Sequence, residues 1–144
     1  MRLADNCASR SNCMKRGIGA VITRENRVIS TGYNGMPFGL TNCNEGGCKR
    51  CNDNTMQGKD LDKCLCLHAE ESAVMEAGRS RTIGGTIYTT CFPCQLCAKM
   101  IIQGGIQRIV FKTAYDSQLS KQMLAMTNIQ IVQIDTETGK TNVI

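Results

Sequence analysis

Tryptophan is absent from this 144-residue chain, aromatic residues make up 4% of it, and histidine occurs once. With so few aromatic rings there is little for successive unpaired bases to stack on, and no Lys/Arg run exceeds two residues. A polynucleotide partner is therefore poorly supported, even at a formal charge of +5. No stretch approaches the roughly 20 consecutive apolar residues of a membrane span. The opening Met1-Arg2-Leu3-Ala4-Asp5 has no apolar core of a secretory signal, so a cytoplasmic location is expected. Linkers, internal repeats and low-complexity tracts are also missing. Residues 1–144 read as a single domain, long enough for one core and too short for two.

Cysteine, by contrast, is abundant: ten in all. An even count permits a disulfide scaffold, but a reducing compartment disfavours one, and the spacing speaks for metal. Cys48-Lys49-Arg50-Cys51 and Cys94-Gln95-Leu96-Cys97 are both C-x-x-C units, and Cys43 lies five residues before Cys48. Between residues 41 and 63 there is almost nothing apolar to pack. Such a long polar loop needs a tie, and a metal held by its cysteines supplies one. The formal +5 also counts every thiol as neutral. One Cys₂His zinc site (net zero) and one Cys₄ site (net −2) would lower it to about +3.

The hydrophobic pattern alternates between elements. Residues 4–15 read as a first helix, 18–23 and 27–33 as a hairpin, and 67–77 as a helix stopped by Gly78. Residues 85–90 form a third strand and 94–103 a helix ended by Gly104-Gly105. A strand (106–113), a helix (117–126) and a fifth strand (129–134) complete the series. This order predicts a three-layer α/β/α sandwich around a five-stranded mixed sheet.

That layout gathers the chemistry. The lone histidine opens His68-Ala69-Glu70 at the start of one helix, and Pro93-Cys94-Gln95-Leu96-Cys97 opens the next. Cys94 and Cys97, three apart, share a helix face, and positive helix ends favour thiolates. His68, Cys94 and Cys97 make three zinc ligands and leave the fourth position for water, as a catalytic zinc requires. Glu70 is too close in sequence to His68 for a comfortable fourth ligand. It suits a proton shuttle that serves as base and then as acid. The pattern resembles the signature of zinc nucleobase deaminases. A closed zinc module, with Glu70 merely a first-turn helix charge, is the competing non-enzymatic reading.

The motifs His68-Ala69-Glu70-Glu71 and Phe92-Pro93-Cys94-Gln95-Leu96-Cys97-Ala98-Lys99 resemble those of the cytidine/deoxycytidylate deaminase superfamily. The stretch from Gly32-Tyr33-Asn34-Gly35-Met36-Pro37 through Thr41-Asn42-Cys43-Asn44-Glu45-Gly46-Gly47-Cys48 is similar to deoxycytidylate deaminases, fungal members and bacterial late-competence relatives in particular. The resemblance covers nearly the whole chain. It implies hydrolysis of dCMP to dUMP and ammonia for thymidylate synthesis, with zinc on His68, Cys94 and Cys97 and Glu70 as shuttle. It further implies nucleotide contacts from Asn34 and from the backbone at Ala20 and Ala69. A homo-hexamer with dCTP and dTTP as effectors also follows from it.

A second, structural zinc is implied for the cysteine-rich insert, residues 41–66. Cys13 resembles one of its ligands, Cys48 and Cys51 form a natural pair, and Cys66 or Cys64 is the fourth, with Cys43 in reserve. For Cys7, Cys43, Cys64 and Cys91 the alternative is a small buried thiol. Two departures stand out: Ser72 where relatives often carry Asn, and Phe38 where a polar or basic residue is common. The latter turns attention to Lys15 and Arg16 as phosphate contacts, or simply a solvated pair. Deamination of tRNA adenosine, single-stranded DNA cytosine or free cytidine shares the zinc motif.

Overall fold

Two glycines set how closely helices approach the sheet. The computed structural model describes residues 1–144, beginning with helix α1 (Arg2–Ser9) and the hairpin β1 (Gly19–Arg24) and β2 (Arg27–Tyr33). A Cβ on Gly19 would lie 2.0 Å from the Ala4 carbonyl oxygen of α1. One on Gly32 would lie 2.1 Å from the carbonyl oxygen of Ala69 in α3 (Ala69–Ala77). Gly32 pairs with Ala20, the neighbour of Gly19, so the two glycines face opposite sides of the sheet. Hence α1 covers one face and α3 the other, which gives three layers.

The remaining elements are α2 (Lys49–Asn52), α4 (Arg79–Thr82), β3 (Thr86–Cys91), α5 (Gln95–Gln103), β4 (Arg108–Thr113), α6 (Gln118–Ala125), β5 (Gln130–Ile134) and β6 (Thr141–Val143). Strand order is β2-β1-β3-β4-β5-β6, with β3, β4 and β5 parallel and the other pairings antiparallel. The sheet is mixed as expected but has six strands rather than five. β6 escaped notice because all three of its residues are exposed, with only Val143 apolar, and it merely caps the edge of β5.

The core packs α3, α5 and α6 against one face of the sheet. Ile22, Ile87 and Ile109 stand in register across β1, β3 and β4, and Ala73, Ala98, Ile101 and Leu124 close over them. Small alanines on α3 and α5 suit close approach to a strand surface lined with isoleucine. The first helix is shorter than the 4–15 expected, since the chain leaves it at Arg10 to bring Cys13 toward the insert. Residues 41–66 hold only α2 and two 3₁₀ turns, Cys43–Glu45 and Leu61–Lys63. Their buried residues are mainly cysteines: Cys43, Cys48, Cys51 and Cys66 form a cluster of their own, apart from the main core. No helix is long and apolar enough to cross a membrane.

Candidate active site

The C-terminal ends of parallel strands in an α/β sheet are where helix N-termini and loops converge to form sites. Here β3 runs into Phe92-Pro93-Cys94, and Cys94 is the residue that caps α5. The Phe92 N–H donates to the Thr113 carbonyl at 2.8 Å, and the Phe92 ring packs edge-on against Phe111. From α6, the Ser120 hydroxyl donates to the Pro93 carbonyl at 2.8 Å. On the other side, paired hydrogen bonds between Gly35 and Leu67 (2.9 and 3.2 Å) tie the residue before His68 to the chain leaving β2. The His68 N–H donates to Glu71 Oε2 at 2.7 Å, which fixes the entry into α3.

These constraints bring His68, Cys94 and Cys97 together. His68 Nδ1 lies 3.3 Å from each of the two sulfurs, which are 3.7 Å apart. A tetrahedron with zinc–sulfur bonds of about 2.3 Å has sulfur–sulfur edges of about 3.8 Å, so the pair is set for one ion. His68 and Cys94 are cap residues, one step earlier than the first helical turn, and their extended backbone turns both side chains toward the shared corner. No fourth Cys, His or carboxylate joins this group. The donor set fits zinc with a position to spare.

Glu70 sits beside that corner. It is buried, its Oε2 accepts from the Cys97 thiol at 3.3 Å, and its Oε1 accepts from the fully buried Thr89 hydroxyl at 3.0 Å. Burial pushes its carboxyl up from the ordinary carboxylate range. The neighbouring charges are arranged as an ion pair. The hydrogen bond with Cys97 leads in holding Cys94 down at about 4, with His68 adding to it. Burial opposes charge on His68, but Cys94 outweighs it and holds the imidazole up at about 9. Cys97 is driven the other way by its hydrogen bond with Cys94 and by burial. Bound zinc would replace these protons.

The corner opens into a cavity of about 120 Å³ whose lining includes His68, Ala69, Glu70, Asn34, Phe92 and Tyr115. Asn34 is heavily committed to the fold: its Oδ1 accepts from the Ile18 N–H at 2.7 Å and its Nδ2 donates to the Arg16 carbonyl at 2.8 Å. Ala20 does not line the cavity. It is fully buried on β1, where it pairs with Thr89 of β3. Lys15 and Arg16 both reach the cavity; Lys15 Nζ donates to the Asp53 carbonyl at 2.7 Å, and Arg16 Nη1 lies 3.6 Å from Cys91 Sγ. Thr89 was missed at the sequence level, where a strand threonine carries no mark of facing a carboxylate. Arg50, Cys13, Cys51, Cys64 and Cys66 form a further part of the wall, so the insert borders the same space.

A family model described as the cytidine and deoxycytidylate deaminase zinc-binding region matches residues 1–113. The deoxycytidylate deaminase of Schizosaccharomyces pombe is 50% identical over 135 residues, 92% of this chain and 42% of the relative. That of Saccharomyces cerevisiae is 54% identical over 116 residues, 80% of this chain and 36% of the relative. The chain thus spans less than half the length of these two fungal proteins. The crystal structure of dCMP deaminase from the cyanophage S-TIM5, solved without ligand and with dCMP and dUMP, shares the fold at a TM-score of 0.72 and 24% identity, covering 92% of both chains. With the zinc-binding motif, its geometry and these relatives in agreement, the chain belongs to the cytidine and deoxycytidylate deaminase family.

Proposed function

We propose that the chain hydrolyses dCMP to dUMP and ammonia. The observation that carries this reading is a buried carboxylate, Glu70, held against a three-ligand corner that opens to a cavity. His68, Cys94 and Cys97 would hold zinc, which would supply the Lewis acidity for hydrolysis near neutral pH. Glu70 is placed to take a proton from the water whose oxygen adds to C4 of cytosine. The carboxyl then protonates ring nitrogen N3, takes a second proton from the new C4 hydroxyl, and passes it to the amine, which leaves as ammonia as the C4 carbonyl forms. Burial suits Glu70 to this exchange, because a carboxyl pushed upward carries a proton nearer neutrality. Thr89 holds one carboxylate oxygen, leaving the other to face the corner.

Ala69, first residue of α3, lines the cavity and starts a helix whose opening N–H groups lack partners in the helix itself, which suits the base edge. Asn34, Lys15 and Arg16 also line the cavity, which supports contacts from Asn34 to the nucleotide and from Lys15 and Arg16 to its 5′-phosphate. The fungal and phage relatives support dCMP as substrate, and the same kinship extends the proposal to a cytoplasmic homo-hexamer that responds to dCTP and dTTP.

The test is a spectrophotometric assay with dCMP, cytidine and a short oligonucleotide. Turnover of dCMP that disappears in Glu70→Ala while zinc is retained supports the reading. Turnover of the oligonucleotide alone points to a polynucleotide deaminase, and turnover of none to a zinc-stabilised module.

A further inference from the structure

The insert was expected to hold one zinc ion on four cysteines. Its five cysteines and Cys13, which follows α1, meet as two overlapping tetrads. Cys13, Cys43, Cys51 and Cys66 have all their sulfurs within 4.8 Å of one another, and so do Cys48, Cys51, Cys64 and Cys66. Cys51 and Cys66 belong to both. We propose that the insert binds two zinc ions in a binuclear cluster, with Cys51 and Cys66 bridging, Cys13 and Cys43 completing one tetrahedron, and Cys48 and Cys64 the other.

The spacing supports tetrahedra that meet at Cys51. Cys13 lies 3.8 Å from Cys51 in the first tetrad, and Cys64 lies 3.6 Å from Cys51 and 3.9 Å from Cys48 in the second. These match the edge of about 3.8 Å that zinc–sulfur bonds of about 2.3 Å require. A single ion would leave two of the six thiols over. In either choice one of the two fully buried cysteines, Cys43 or Cys48, would be a surplus terminal thiol. Both are instead prepared as ligands: the Met14 N–H donates to Cys43 Sγ at 3.5 Å, and the Leu65 N–H to Cys48 Sγ at 3.4 Å. Each tetrad thus has one terminal sulfur with a backbone donor, the outer-shell contact that orients a metal ligand.

Charge points the same way. Two Zn²⁺ ions against six thiolates leave a formal charge of about −2. Arg50 is 7% exposed, takes part in none of the ion pairs, and places Nη1 3.9 Å from the bridging Cys51 Sγ. Its other nitrogens donate to the carbonyls of Lys59 and Met56. A buried guanidinium without a carboxylate is costly unless an anion faces it. The cluster is that anion.

The test counts metal. Elemental analysis of the whole purified chain should give about three zinc ions: two in the insert and one at His68, Cys94 and Cys97. Cys43→Ser and Cys64→Ser, each removing a ligand of only one tetrad, should each lose about one ion, and Cys51→Ser should lose two. With a single ion in the insert, one of Cys43→Ser and Cys64→Ser would leave the zinc content unchanged, and that result would overturn the proposal. Because a variant can misfold, ¹¹³Cd NMR of the cadmium-exchanged native chain gives an independent reading. Two insert resonances that couple to each other through bridging sulfur are expected. A single insert resonance, a wild-type count of two zinc ions or fewer, disulfides in the freshly isolated protein, or iron in place of zinc would each overturn it.

Discussion

Two cysteine sites border one cavity, and they differ in what holds their ligands. At the first, His68, Cys94 and Cys97 sit on the caps and first turns of α3 and α5, helices already fixed by the isoleucine and alanine core. At the second, the cysteines themselves are nearly all there is to bury, and the chain around them is loop, 3₁₀ turn and one four-residue helix. A scaffold that stands without metal can leave a coordination position open and put a carboxylate beside it. A segment whose only interior is sulfur needs every ligand for its own cohesion. The residue types are nearly the same; the source of rigidity separates chemistry from structure.

The sharpest way to break this comparison is at Glu70. Glu70→Gln keeps the shape and the Thr89 contact but cannot carry the proton. Loss of general acid–base catalysis is expected to lower kcat for dCMP by about 10²–10⁴-fold, with zinc content and thermal stability nearly unchanged. Retained activity would reduce Glu70 to a helix-end charge and leave the two sites alike.

Next in size is the scaffold itself. A methyl group on Gly32 would meet the backbone of α3 at Ala69 and Ala73, at 2.1 and 2.6 Å. Gly32→Ala must push α3 off the sheet, a strain of about 1–3 kcal/mol. Since α3 carries His68 and Glu70, activity should fall together with the thermal midpoint, while the zinc held by the insert stays. A smaller effect is expected at Thr89→Val, which removes the donor to Glu70 Oε1 and little volume. A buried hydrogen bond to a charged group contributes about 1.5–3 kcal/mol, so kcat should drop at least about tenfold with KM held. A change in KM alone would mean that Thr89 serves binding and does not orient the carboxylate.

How much of this was legible in the sequence follows the same division. The alternation of strands and helices came through because Ile22, Ile87, Ile109 and Ala73 sit at spacings set by one large core. The corner at His68, Cys94 and Cys97 was legible because helix starts place its ligands, and helix starts have local signals. Thr89 was not, because its role depends on β3 passing beneath α3, a contact between residues far apart in the chain. In the insert, the C-x-x-C unit and the lack of apolar residues announced metal. The resemblance also named Cys13 beside that unit and offered Cys64 and Cys43 as further ligands, but the sorting of six sulfurs into two overlapping tetrads could not be read, since no periodicity governs a loop folded around sulfur.

The subtlest prediction joins the two regions. The Tyr115 hydroxyl, from the segment after β4, donates to the Gly58 carbonyl of the insert at 3.1 Å, and both residues line the cavity. Gly58 holds a φ of +80°, and a Cβ there would come within 3.0 Å of the Tyr115 ring, so the turn is shaped to lie against that side chain. Tyr115→Phe keeps the ring and deletes only the tether. A partly buried neutral hydrogen bond contributes about 0.5–1.5 kcal/mol, so the insert should be held less firmly against the cavity. The expected result is a rise of about two- to tenfold in KM for dCMP with kcat and zinc content unchanged. If kcat fell and KM held, Tyr115 would instead act on the reacting groups, and the insert would lose its standing as a wall positioned by its own metal.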